Sequence, residues 1–282
     1  MKNILFLISM LFLFSCEDEE DFSQPFYVDE NGVTIKAKDW VTVGTTGVLN
    51  GITYIAIDDT LISISDFKSK YPEITELKQL VTTLVTDISY PGGGVHNDIL
   101  LFSSDFKSIE TWDVSNVTNM SGMFSHIYGG AMFNQDISGW DVSNVTNMAG
   151  MFLGNQYFNQ DLSSWDVSNV TNMSGMFDTC NCFNPEYGNV ENMPDLTYWD
   201  VSSVTNMSAM FSHIYGGAMF NQNISGWDVS NVTNMYRMFM GSNEFNQDLS
   251  SWDVSKVTNC DQFSDWTAKW TLPKPNFPIS CN

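Results

Sequence analysis

The stretch Phe158–Phe177, FNQDLSSWDVSNVTNMSGMF, decides the fold. Its apolar residues are Phe158, Leu162, Trp165, Val167, Val170, Met173, Met176 and Phe177, at steps of 4, 3, 2, 3, 3, 3 and 1. A helix repeats near 3.6 and a strand at 2, and neither period runs through this series. A chain that coils back on itself fits it: a short strand supplies the step of two, and tight 3₁₀-like or irregular arcs supply the steps of three. The alternation predicts the strand at Trp165-Asp166-Val167, with Trp165 and Val167 inward and Asp166, Ser164 and Ser168 outward. Asn, Ser, Thr and Gly fill the remaining positions, and their side chains compete for backbone hydrogen bonds, which favours turns over long helices.

Outward from this unit, WDVS recurs at Trp112, Trp140, Trp165, Trp199, Trp227 and Trp252, with spacings of 28, 25, 34, 28 and 25 residues. A period in this range marks a solenoid or a propeller. FSHIYGGAMFNQDISGWDVSNVTNM begins at Phe124 and returns at Phe211 with one change, Asp136 to Asn223. Extended back to Trp112 and Trp199, the two copies align over 37 residues and differ at three: Asn116/Ser203, Gly122/Ala209 and Asp136/Asn223. Each 28-residue turn holds three extra residues between its phenylalanines, and the 34-residue turn holds its surplus in NPEYGNVENMPDLTY. Insertions confined to one segment are what a stacked coil tolerates at a surface loop. No single turn covers its own apolar edge, so each must bury its residues against the next, with one strand per turn forming a parallel sheet on one face. Sixteen methionines suit the filling of such a core.

The pattern Leu162-x-x-Trp165-x-Val167-x-x-Val170-x-x-Met173-x-x-Met176-Phe177 resembles the leucine-rich repeats of BspA-like bacterial surface proteins. The wordings WDVSNVTNMSGMF and FNQDLSSWDVS resemble the variety known as domain of unknown function 285, found in mycoplasmas and Bacteroidota. The resemblance implies a leucine-rich-repeat-like solenoid on a surface lipoprotein, with adhesion attributed to some members. The 34-residue turn departs from it by keeping only FNP, at Phe183, of the FNQD wording.

The front of the chain, MKNILFLISMLFLFSC, sets a lysine before an apolar run from Ile4 to Phe14. Too short to span a bilayer, the run reads as a secretory signal over 1–15. LFSC resembles a bacterial lipobox, which makes Cys16 the expected lipid-bearing residue and places the chain on the outer membrane. The following EDEED resembles the export signal of Bacteroidota surface lipoproteins, opening an acidic linker over 16–30. A capping region is expected over 31–84, with hairpin signals at Asn31-Gly32 and Asn50-Gly51. The resulting cap is small, mixed and β-rich. Val85-Thr86-Asp87-Ile88-Ser89 resembles a degraded VTNMS, so 85–111 reads as a degenerate repeat, 112–259 as the solenoid, and the proline-rich 260–282 as a C-terminal cap.

The formal charge is −22, and between Trp112 and Asn259 the only basic residues are Arg237 and Lys256. A surface this acidic repels phosphate backbones, which argues against a nucleic-acid partner. Besides Cys16, four cysteines remain: Cys180, Cys182, Cys260 and Cys281. An oxidising compartment favours disulfides, and Cys260 with Cys281 would clasp the last segment, although four cysteines allow three connectivities. The Cys180-Asn-Cys182 pair lacks the companions of a metal or redox site.

No HExxH, GxSxG or GxxxxGK[ST] pattern is present, so the sequence points away from an enzyme. What stands out is a row: Asp113, Asp141, Asp166, Asp200, Asp228 and Asp253 share one outward position, each two residues before a serine. Strands ~4.8 Å apart would set neighbouring carboxylates to repel by ~1 kcal/mol in water and ~3.5 kcal/mol at an effective dielectric near 20. Hydrogen bonds from hydroxyls and amides, splayed rotamers or bound Ca²⁺ could each relieve this. The copied loops carrying His126 and Tyr128, and His213 and Tyr215, form a second surface on which an aromatic beside glycines could stack on a sugar or a partner side chain, or only tuck under the turn. The expected partner is an extracellular protein or glycan, and no cofactor is expected. The alternatives are a passive spacer or variable antigen, and an enzyme or glycan-processing component.

Overall fold

A computed structural model of the chain describes residues 23–59, 69–89, 109–125, 133–183, 194–214 and 219–281. Its N-terminal part is a pair of small sheets. Strand β1 (Phe26–Val28) pairs antiparallel with β2 (Ile35–Ala37), and the link between them is held by the Asn31 side chain, whose Oδ1 accepts the Val33 and Thr34 N–H groups at 2.9 Å. Strand β3 (Thr46–Leu49) turns into β4 (Ile52–Asp58) through Asn50-Gly51, with φ of 53° and 79°. Two positive φ values in a two-residue loop define a type I′ turn, which is why Asn-Gly serves there. Strand β5 (Leu80–Leu84) then pairs parallel with β4.

One expected boundary moves. The acidic linker expected over 16–30 ends sooner, because β1 begins at Phe26, which packs in a core with Tyr54, Ala56 and Val81. The acidic composition hid a buried aromatic that alternates with exposed Tyr27.

Past β5 the repeats stack in chain order. Parallel bridges join Asp87 to Asn119, then Asn119 to Asn147, Asn172, Asn206, Asn234 and Asn259 in succession. The rungs around each bridge follow one rule. Thr146 N–H donates back to Thr118 O at 2.8 Å, whereas the N–H groups of Met148, Gly150 and Phe152 donate forward to Asn172, Ser174 and Met176 at 2.9, 2.7 and 2.9 Å. The threonine hydroxyls add a rung of their own, as Thr146 Oγ1 donates to Thr118 O at 3.1 Å.

This pairing line lies elsewhere than the alternation at Trp165-Asp166-Val167 predicts. That tripeptide does bury Trp165 and Val167 and expose Asp166. Its backbone, however, runs into a tight turn closed by Val170 N–H to Val167 O at 2.9 Å, so there is no strand at the expected place. Alternation reports which side chains are buried; pairing requires N–H groups left over to face a neighbour, and those belong to Thr171-Asn172 and the arc that follows.

The arc itself is a run of three-residue turns, such as Met151 N–H to Met148 O and Leu153 N–H to Gly150 O. Winding that tightly takes a left-handed residue at one shared position of each repeat, Gly122, Gly150 and Gly175 at φ 68°, 61° and 60°, then Ala209, Arg237 and Gln262 at 54°, 54° and 56°, and a second four residues on at Gly154, Thr179, Gly241 and Trp266. Only glycine adopts this region without steric cost.

Inside, Phe124, Phe152, Phe177, Phe211 and Phe239 form a column with successive ring centroids 5.6, 5.6, 6.0 and 5.6 Å apart. From Trp140 to Trp252 the WDVS tryptophans send their indole N–H to the preceding turn, Trp165 to Ile137 O at 3.1 Å and Trp199 to Leu162 O at 3.0 Å among them, so a buried donor is satisfied while the ring fills the core. A single apolar core runs from Ile55 and Leu80 of the sheet to Trp270 near the end of the chain.

Both edges are closed. At the first, Asp59 accepts the Thr86 and Asp87 N–H groups at 2.9 and 3.1 Å and the Thr86 hydroxyl. At the last, Trp270 packs edge-on against Phe239 and Phe245, Phe277 packs on Phe263, and a disulfide joins Cys260 to Cys281. These contacts cover the apolar ends of the stack, as a repeat array requires. Among the described residues no helix is long and apolar enough to cross a membrane.

Candidate interaction surface

The aspartate row is explained locally. Asp141 Oδ1 accepts Ser143 N–H at 3.1 Å and its hydroxyl at 2.6 Å, and Asp166, Asp200, Asp228 and Asp253 accept the N–H of Ser168, Ser202, Ser230 and Ser255 at 3.0–3.1 Å. Each carboxylate thus caps the turn that follows its own strand-like tripeptide. Hydrogen bonds from Ser168, Ser230 and Ser255 hold Asp166, Asp228 and Asp253 below the usual carboxylate range. At Asp228 that pull exceeds the opposing push of the neighbouring Asp253 charge. Repulsion between Asp228 and Asp253 is therefore the smaller effect there.

Asp113 does not share the outward position expected of it. It is 2 % exposed, because the N-terminal sheet packs over the first turn and Thr82 Oγ1 donates to its backbone carbonyl at 2.9 Å. Its Oδ1 still accepts from Ser115, its Oδ2 is buried without a partner among the described residues, and the charge of Lys36 acts across this junction. The outward row is five residues long, from Asp141 to Asp253.

A second row carries the same chemistry and was not singled out from the sequence. Asp136, Asp161 and Asp248 accept from Ser138, Ser163 and Ser250, and Asn223 does the same for Ser225, taking its N–H at 3.1 Å and its hydroxyl at 2.7 Å. The signal was present as the spacing Asp-x-Ser, identical to that in WDVS. An amide in place of the carboxylate makes the same turn, so the second row does not owe its geometry to charge. Among the described residues no three His, Cys, Asp or Glu side chains form a group that could hold a metal ion.

Of the copied loops, His126, Tyr128 and Tyr215 lie outside the described residues, as does Cys16. His213 is half-buried: its N–H donates to Met240 O at 2.7 Å, its Nδ1 has no partner among the described residues, and burial lowers its pKa. One turn earlier sits Asp178, at the position held by Ser125 and Ser212 in the copied turns. Burial pushes its carboxyl up to about 6, against hydrogen bonding from Ser212 and the Thr179 backbone and the charge of Arg237. Asp178 Oδ1 is buried without a partner among the described residues. Cys180 and Cys182 are joined by a disulfide within this turn.

Edge-capped stacked repeats whose polar side chains mostly cap their own turns define a repeat protein. The chain belongs to the family described as Mycoplasma protein of unknown function, DUF285, whose model matches residues 101–194 and 186–274. No curated protein and no solved structure matches the chain.

Proposed function

We propose that the chain winds as a leucine-rich-repeat-like solenoid on a surface lipoprotein of Bacteroidota type, anchored to the outer membrane through Cys16, and that the solenoid mediates adhesion or ligand binding to an extracellular protein or glycan. The observation that carries this reading is the ladder itself. Backbone groups, Thr hydroxyls and buried rings join each turn to the next, so an added turn brings outward surface without any new core. A fold that grows by lengthening its surface suits binding. The acid excess supports a partner other than nucleic acid.

The near-identical copies favour a second reading, a variable surface antigen or passive spacer in which repeats recombine. Binding decides between them. The whole chain, presented on cells and screened against matrix proteins and glycans, should give saturable binding. A stable protein silent across the panel favours the spacer. Cys16→Ser should release the chain from the membrane fraction, and retention there would refute the anchor.

A further inference from the structure

The residue before each WDVS tryptophan is Thr111, Gly139, Ser164, Tyr198, Gly226 and Ser251 in successive repeats. Five of these are small; Tyr198 alone carries a ring, and it is 87 % exposed. It stands at one side of a depression of about 490 Å³ lined by Thr197, Tyr198, Trp199, Asn223, Ser225 and Gly226. That volume lies within the ~300–1,000 Å³ of small-molecule sites. A side chain at Gly226 would meet no heavy atom within 4 Å, so the space beside Tyr198 is open.

The backbone on either side of Tyr198 is held in place from below. Gln222 of the next turn accepts Leu196 N–H at 2.9 Å and donates to Pro194 O, clamping the segment that carries Tyr198. Asp195 Oδ1 takes Thr197 N–H at 3.0 Å, and Trp199 is anchored by its indole bond to Leu162 O. Asn223 spends its Oδ1 on Ser225, which leaves its amide NH₂ without a partner among the described residues.

The duplicated copy shows what was altered here. Where this copy has Thr197, Tyr198 and Asn223, the first has Glu110, Thr111 and Asp136. Compared with the first copy, this place has two fewer carboxylates and one more ring. The lining carries no formal charge, so it offers nothing to an ionic ligand, and its walls divide between two aromatic residues, Tyr198 and Trp199, and hydroxyl, amide and glycine groups, a mixture that a wholly apolar side chain would leave with unmet polar groups. A flat, hydroxyl-rich, uncharged molecule matches it: apolar C–H groups stack on the Tyr198 ring while hydroxyls meet the Asn223 amide and the Thr197 and Ser225 oxygens.

We propose that this depression binds a neutral pyranose sugar, with Tyr198 as the stacking platform and Asn223 as the principal polar contact. The site rests on the adhesive reading above and gives it a ligand class and a place. The test is affinity electrophoresis of the whole chain through gels containing mannan, galactan, xylan or anionic hyaluronan, with a parallel screen on immobilised collagen, fibronectin and laminin. Retardation by a neutral polysaccharide is expected, with Kd raised at least tenfold by Tyr198→Ala and by Gly226→Gln, which fills the open space. Gly139→Gln, also open within 4 Å but facing no tyrosine, is the control and should leave Kd unchanged. Circular dichroism melts confirm that each variant folds. Binding to a polysaccharide that survives both variants, or binding only to hyaluronan or a matrix protein, overturns the sugar site and leaves the adhesive reading standing. Silence in both screens overturns both.

Discussion

Gly150 and Gly241 have backbones of the same hand, with φ of 61° and 73°, but different surroundings, and that difference makes a quantitative test of how the turns stack. In Gly150→Ala the new methyl would lie 3.7 Å from Leu153 Cβ and 3.8 Å from Cδ2, ordinary contacts, so the cost is the left-handed penalty alone, about 1 kcal/mol. In Gly241→Ala the methyl would fall well inside van der Waals contact of the His213 carbonyl oxygen. Neither backbone can yield freely: His213 N–H is bonded to Met240 O at 2.7 Å and Gly241 N–H to Asp265 O at 2.7 Å. Relief breaks a rung, adding about 1–3 kcal/mol for an unsatisfied buried group. Gly241→Ala should therefore cost about 2–4 kcal/mol. Ala209→Gly, which relieves a left-handed alanine at φ 54°, should run the other way by about 0.5–1 kcal/mol. Urea unfolding followed by tryptophan fluorescence reads all three, provided a second probe gives a coincident transition. If the two glycine variants unfold at the same urea concentration, the approach of the fourth turn to the fifth at His213 is not as described, and the stacking register there is wrong.

Asp178 gives a pH signature. Its carboxyl is raised from 3.8 to about 6, so the folded state holds the proton more tightly than the unfolded state; stability is greatest below about pH 4 and falls as pH rises towards 6, by at most about 3 kcal/mol. Asp178→Asn should flatten this dependence and raise the melting temperature at pH 7. His213, lowered by burial, acts in the opposite sense, losing stability as pH falls below 6.5, so the comparison is made between Asp178→Asn and the parent at each pH. Replacing Cys260 and Cys281 by serine opens a loop with a sequence separation of 21 and should cost about 3 kcal/mol in denaturant, whereas an unchanged midpoint would mean that Trp270 and Phe277 close the end unaided. Asp228→Asn should lower the melting temperature less than Asp228→Ala, since Asn223 already caps Ser225 as an amide; equal melting of the two would show that the cap itself contributes nothing.

The period of the repeat and the three-residue arcs were legible because buried residues recur wherever a coil turns inward, and Val170, Met173 and Met176 mark that directly. The pairing line was not, because the sequence advertises burial through side chains while the ladder is made by backbone at Asn172, a residue that reads as a turn former. Val85-Thr86-Asp87 was readable as a worn copy of the Thr-Asn step because Asp and Asn accept hydrogen bonds at the same place, as Ser89 N–H to Asp87 Oδ1 at 2.8 Å and Ser121 N–H to Asn119 Oδ1 at 3.1 Å demonstrate. The aspartates stood out for their charge, yet their shared feature is the serine two residues on. Tyr198 escaped notice because it lies in the surplus segment where the repeat wording lapses, and a single exposed ring carries no period.

The three differences between the duplicated segments are of unequal kind. Asn116 Nδ2 donates to Thr83 O at 2.7 Å, a bond from one turn to its neighbour that Asn144, Asn169 and Asn231 repeat; serine at 203 is too short to reach it. Gly122 adopts φ 68° freely, and Ala209 adopts 54° against its side chain. Both changes weaken the stacking of the second copy. The third, Asp136 to Asn223, leaves its turn capped and changes only what faces solvent. Neighbouring turns supply most of the free energy of a stacked array, so one turn can lose a lateral bond and carry a strained residue without unfolding the rest. That tolerance lets a copied turn change its outward face: the core interface persists through the phenylalanine column and the threonine rungs, and the side chains beside the tryptophan are left to vary.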